Sequence, residues 1–316
     1  MEQVREGRCL QETISQTLLR LKNEPVSRYY RMGDIVFHAQ TDALLPDTLQ
    51  ARFDPFLISE TTPHARQVIR MVRPISKTET PASRGVDSHG LRRAACFRFP
   101  ELAHSLTPQE NENACVSFEI SNTCIFSFDF SNATSHLIYS PEAERIAYLQ
   151  FMAVFFAPLF SRFSSALVHS SSFLCNGSVG LFLAPDEGGK TTTVASAPKG
   201  SVLSDDQNLL RLEQDGYNVY GTPWGLTSNA RAKGKLGAFF ILEKAQQFRL
   251  DPAGPREALQ YLWGEHASYR CALPMQLRKK AFDLVYGACH AAPVYRLMVP
   301  KDEMDWDAIK NAMQIR

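Results

Sequence analysis

LFLAPDEGGKTTTV, residues 181–194, decides how the rest of this chain is read. An apolar run, SVGLFL at 178–183, leads into it. Two glycines, Gly188 and Gly189, then precede Lys190, Thr191, Thr192 and Thr193. Strand, glycine loop, Lys-Thr and helix is the order of a phosphate-binding loop. Glycine lets backbone N–H groups turn inward on phosphate oxygens, and the start of a helix adds a partial positive charge there. In that arrangement Lys190 reaches the outer phosphates and the Thr191 hydroxyl holds Mg²⁺. Gly189, Lys190 and Thr191 fit G-x-x-x-x-G-K-[ST], but Ala184 stands at the first glycine, and Asp186 and Glu187 put negative charge in the loop. The alternative reading is an ordinary strand–loop–helix turn with a surface lysine.

The neighbouring segments add chemistry. SVLSDDQNLLRL, residues 201–212, is an apolar run that ends in Asp205 and Asp206. Paired aspartates at a strand end shortly after a phosphate loop suit Mg²⁺ ligation or proton abstraction. Alone, the pair reads as a solvated turn. Upstream, ALVHSSSFLCNGSVGLFLAP (166–185) reads as strand, tight turn at Asn176-Gly177, strand, because Asn-Gly between apolar runs is a strong hairpin signal. The hairpin forces an antiparallel pair, so the expected sheet is mixed. It is also expected to bring His169 alongside the strand that feeds the loop.

His169, the loop APDEGGKTT and the SDD of Ser204, Asp205 and Asp206, in that order and spacing, resemble HPr kinase/phosphorylase and its kinase-like relatives. Those relatives include kinases that act in peptide biosynthesis clusters, and the same nucleotide-binding architecture occurs in phosphoenolpyruvate carboxykinase. The resemblance covers 165–316. Pro293-Val294-Tyr295-Arg296-Leu297, followed by acidic residues and Trp306, fits the kinase-like branch. It implies an ATP- and Mg²⁺-dependent kinase that transfers the γ-phosphoryl group to a hydroxyl acceptor: a peptide or protein serine, or a small metabolite.

The resemblance also implies roles. Lys190 and the loop residues Ala184, Gly188, Gly189, Thr191 and Thr192 bind the ATP phosphates. Thr191 and one aspartate, Asp206, hold Mg²⁺. The other, Asp205, is the general base, with His169 hydrogen-bonded near it. The assignment of the two aspartates stays open between them. Relatives assemble into rings, so a homo-oligomer is in keeping with the resemblance. Ala184 and the acidic loop motivate a different class, a nucleotide-binding or sensing protein without catalysis. A carboxykinase-like lyase is a weaker third reading.

A length of 316 residues favours two domains. The formal net charge of +1 gives no reason to expect nucleic-acid binding. None of the 7 cysteines forms C-x-x-C, and an odd, scattered set fits reduced thiols in the cytosol rather than a zinc or redox site. MEQVREGRCLQE at the start mixes charges and lacks the apolar core of a signal peptide. The apolar stretch 149–168 is broken by Pro158 and Arg162 and is too short to span a bilayer, so it reads as a buried helix. A cytoplasmic protein without membrane contact is expected.

The expected layout is a β-rich (α+β) N-terminal domain of unknown role over 1–140, a connecting helix over 141–164, and an α/β HPr kinase-like nucleotide-binding domain with a mixed sheet over 165–316. SPEAE at 140–144 opens the connecting helix, with Ser140 as N-cap and Pro141 in the first turn. Residues 1–23 carry an amphipathic helix pattern. DIVFHA, ARQVIRMVRP, ACFRFP, ACVSFEIS and CIFSFDFS read as strands of a small antiparallel domain, with 76–90 as a loop. His38, His64, His89, His104 and His136 lack metal-ligand spacing and read as surface or structural residues. Downstream, TTTVASA makes only a short helix. Thr222-Pro223-Trp224-Gly225 is a rigid turn whose tryptophan either lines a pocket, exposed, or packs. Arg231, Lys233 and Lys235 read as a basic loop and LGAFFILEK as a buried strand. Helices follow at 255–262 and 275–289, a strand at 293–300 and a helix at 304–314.

Overall fold

The computed structural model of the chain describes residues 26–33, 35–41, 47–59, 67–72, 115–120, 124–129, 134–139, 160–161, 163–185, 187–225, 232–264, 275–300 and 304–314. The chain divides into two compact units, Met1–Phe155 and Phe156–Arg316, the division falling inside the segment expected to connect the domains.

In the first unit, β1 (Val26–Met32) and β2 (Ile35–Thr41) form a hairpin that turns at Gly33, whose φ of 63° suits glycine. Helix α1 (Asp47–Phe53) runs into a 3₁₀ turn, Asp54–Phe56. Strands β3 (Leu57–Ile58), β4 (Gln67–Val72), β5 (Cys115–Ile120), β6 (Cys124–Asp129) and β7 (Thr134–Tyr139) follow. The sheet order is β3-β1-β2-β4-β7-β6-β5. It is not the antiparallel sheet expected, because β2–β4 and β4–β7 pair in parallel. Parallel neighbours need long crossovers, and residues 42–66 and 73–133 supply them. β1, β3 and β7 were not anticipated as strands, and ACFRFP lies outside the described residues, as do the helix expected at 1–23 and residues 141–159 of the connecting helix expected over 141–164. Tyr30, Met32, Ile35, Phe37, Phe53 and Phe56 are buried, with Tyr30 edge-on to Phe53. His38 stacks on Tyr29 at 4.4 Å, a structural role.

The second unit contains β8 (Ser165–His169), β9 (Ser171–Cys175), β10 (Ser178–Leu183), α2 (Lys190–Ala195), β11 (Gln207–Glu213), β12 (Gly216–Gly221) and β13 (Lys233–Lys244). It continues with β14 (Arg249–Ala253), α3 (Pro255–Trp263), α4 (Met275–Ala291), β15 (Val294–Val299) and α5 (Trp306–Gln314). The strand order is β14-β15-β13-β12-β11-β8, with β10 on the other edge of β13 and β9 beyond β10. Pairs β10–β13 and β13–β15 are parallel and the rest antiparallel, so the sheet is mixed and the architecture α/β.

The apolar runs SVGLFL and LGAFFIL follow from burial on both faces. Val179, Leu181, Leu183, Phe239 and Ile241 join one core with α3 and α4 through Ala258, Leu262 and Val285. Phe182, Ala238, Phe240 and Leu242 alternate onto the other face and join Ile309, Ala312 and Met313 of α5. There Trp306 packs against Phe173 at 4.6 Å and Phe182 at 6.0 Å. Each fully buried aromatic contributes roughly 1.5–3 kcal/mol relative to exposure. Helix α4 is the longest described, and among the described residues no helix is long and apolar enough to cross a membrane.

One expectation fails here because its partners are distant in sequence. Lys233 and Lys235 are not in a loop but open β13 against β12. The β11–β12 hairpin, whose second strand was not foreseen, delivers Glu213 3.7 Å from Lys233 Nζ and Asp215 3.1 Å from Lys235 Nζ. Hydrogen bonding from Lys235 holds Asp215 below the usual carboxylate range. Arg231 lies outside the described residues. Of the two alternatives for Trp224, the packed one holds: it is 4% accessible and sits edge-on to Phe160.

Gly180 faces the second core. A Cβ there would fall 2.7 Å from the Phe240 ring and 2.8 Å from Met313 Sδ. Gly180→Ala is therefore expected to cost ~1–3 kcal/mol, read as a lower midpoint in chemical denaturation; an unchanged midpoint would contradict this packing.

Candidate functional site

The site is built where β9 lies between two partners. On one edge β9 pairs with β10, from Ser178↔Cys175 to Phe182↔Ser171. Its other edge continues the pairing of β8 with β11, which runs from Ser165↔Arg211 to His169↔Gln207. Past that point the Ser170, Ser172 and Leu174 amides donate to the Asp206, Ser204 and Ser201 carbonyls at 2.9, 3.0 and 2.6 Å. The segment carrying the aspartates is thereby one strand away from the strand that feeds the glycine loop.

This pairing corrects two expectations. His169 ends β8 and pairs across to Gln207, not alongside β10; Ser170 breaks the run, and only β9 belongs to the Asn176-Gly177 hairpin. The aspartates do not end a strand. They immediately precede β11, because the apolar residues before them, Val202 and Leu203, are buried without ladder pairing and only Ser204 makes an isolated bridge. The outcome still brings the groups together: His169 Nε2 lies 3.2 Å from Asp206 Oδ1, with both side chains partly exposed. Asp205 is buried, at 3% accessible.

The loop is shaped by its glycines. The Gly188 amide donates to the Pro185 carbonyl at 3.0 Å. Gly189 stands at φ 96°, which favours glycine, and caps α2. Among the described residues, no atom lies within 4 Å of where a Gly189 side chain would begin. Glu187 is exposed and also has positive φ, 59°. Lys190 is 7% accessible; its ammonium donates to the Ala184 carbonyl at 2.8 Å and the Pro185 carbonyl at 3.1 Å. The Thr191 hydroxyl donates to the Asp205 carbonyl at 3.4 Å, which ties the start of α2 to the acidic pair. Thr192 is exposed on α2. With six residues, α2 has little macrodipole, so an anion here would have to be held by Lys190 and the loop amides.

Sequence reasoning missed the layer beneath. Ser170, Ser171, Ser172, Ser204 and Asn208 are all fully buried. Ser171 Oγ donates to the Lys190 carbonyl at 3.1 Å, and Ser172 Oγ to the Ser204 carbonyl at 3.0 Å. Three consecutive serines inside a strand flanked by apolar residues were the available signal, since buried hydroxyls need nearby partners.

These residues fit a phosphate group and a hard cation. Gly189 leaves its backbone open to approach, Lys190 supplies a cation, and the Thr191 hydroxyl meets the Asp205 carbonyl. Among the described residues no three or more His, Cys, Asp or Glu side chains cluster as metal ligands. Mg²⁺ held mainly by phosphate and water needs only one or two carboxylates. Neither the protein-family models nor the curated proteins contain a match to this chain.

Ala184 and Gly188 constrain one another. A Cβ at 188 would fall 2.6 Å from Ala184 Cβ and 2.8 Å from the Pro185 oxygen. Gly188→Ala is expected to destabilise by ~1–3 kcal/mol, and adding Ala184→Gly to recover part of the loss. Denaturation of the two single variants and the double variant measures the coupling; strictly additive losses would disprove it.

Proposed function

We propose that the second unit is a P-loop nucleotide-binding domain of HPr kinase type, and that the protein is a cytoplasmic kinase dependent on ATP and Mg²⁺. Its acceptor is a hydroxyl, on a peptide or protein serine or on a small metabolite, and a homo-oligomer is compatible with this reading. One observation carries it: segments far apart in sequence bring the Lys190–Thr191 loop, two aspartates and a histidine to one end of β9. The scattered cysteines, of which Cys175 and Cys289 are free, agree with a reducing compartment.

When bound, MgATP supplies the transferable phosphoryl group. Lys190 and the loop amides neutralise and align its phosphates, the main requirement of phosphoryl transfer. The contacts favour exchanging the roles first given to the aspartates. Asp205 is buried and its backbone meets Thr191, which suits the cation side. Asp206 is the more open carboxylate and touches His169, which suits the base that takes the acceptor's proton.

A second reading keeps nucleotide binding without catalysis. Glu187, exposed in a left-handed conformation within the loop, favours it by placing negative charge there. The two readings separate on the aspartates. Calorimetry with MgATP is expected to show binding that falls at least ~10-fold, or about 1.4 kcal/mol, in Lys190→Ala. Asp206→Asn is expected to retain binding and lose ADP release, while Asp205→Asn weakens the Mg²⁺ dependence. A binding module would leave the wild type without turnover; no binding at millimolar MgATP would end both readings.

A further inference from the structure

We infer that Asn208 is a positioning residue of this site. The inference rests on the kinase reading for its purpose, though not for its geometry. Asn208 is fully buried on β11, opposite Val168 of β8. Its Nδ2 donates to the Ser170 carbonyl at 2.6 Å and approaches Ser170 Oγ at 3.1 Å. Ser170 Oγ in turn donates to the Val168 carbonyl at 3.4 Å. The amide orientation follows from these partners, because the reverse would face a carbonyl with a carbonyl.

Ser170 is the residue between β8 and β9. The peptide before it is held by the Asp206 carbonyl, which accepts the Ser170 amide at 2.9 Å. The peptide after it is held by Asn208. One neighbour of Ser170 is His169, which meets Asp206; the other is Ser171, whose hydroxyl meets the Lys190 carbonyl. Asn208 therefore fixes the joint from which the histidine and the backbone of the loop lysine are both set.

A second observation separates this role from space-filling. Asn208 Oδ1 is buried and, among the described residues, has no hydrogen-bond partner. Burying an unpaired carbonyl is costly, and an apolar side chain would fill the volume without that cost. What the position requires is the donor end, aimed at Ser170.

Two readouts test this. Long-range ¹H–¹⁵N correlation of the His169 ring reports its pairing with Asp206 without nucleotide. Asn208→Ala is expected to replace the wild-type ring signals with averaged ones while the melting transition stays cooperative. ADP release from MgATP, with water as acceptor, is expected to lose at least ~10-fold in kcat while KM for ATP changes less than ~2-fold. Unchanged ring signals in Asn208→Ala would overturn the inference. If that variant does not fold, Ser170→Ala decides, since it removes only the hydroxyl leg: partly averaged signals support the role and wild-type signals overturn it. A wild type that does not bind millimolar MgATP would reject the kinase reading alone, leaving the ring spectra to decide on Asn208.

Discussion

The hydrogen bond from the Ser170 amide to the Asp206 carbonyl is the contact on which the site depends. A strand of residues 165–175 could have run unbroken beside residues 201–211. Instead it is jointed at Ser170, and the joint gives the two halves different second neighbours. Among the described residues β8 is paired only to β11, while β9 also carries β10 and so the glycine loop. With the Ser172 and Leu174 amides continuing it along β9, this bond keeps the acidic pair one strand away from the loop.

Much of this was legible from residues that act locally. SVGLFL reads as a buried strand because both of its faces meet helices, and Asn176-Gly177 reads as a turn because both residues take positive φ, 50° and 77°. The loop and the short helix after it also lie where glycine chemistry puts them. What failed depended on pairing across long separations. Lys233 and Lys235 resembled a loop because their acidic partners arrive from β11 and the turn after it. The aspartates seemed to end a strand because Val202 and Leu203 are apolar, yet those residues are buried without a ladder. In the first unit the parallel pairings rest on crossovers that no local pattern encodes.

The candidate site sits on an unusual foundation for a buried layer. Ser170, Ser171, Ser172, Ser204 and Asn208 occupy a stratum that hydrophobic residues could have filled. A hydrogen-bonded polar layer adds little net stability but admits few alternative packings. It also leaves Ser204 Oγ and Asn208 Oδ1 without partners among the described residues, a cost that the surrounding apolar cores offset.

The grip of the Ala184 and Pro185 carbonyls on Lys190 has a thermodynamic consequence. The ammonium is already dehydrated and already satisfied by dipoles of its own loop. Any anion that enters must compete with those dipoles, so the lysine trades partners instead of gaining one. The free energy of binding then reports a difference between two ion contacts, smaller than either. The desolvation of the cation, in turn, is completed when the chain folds and forms no part of the ligand's association.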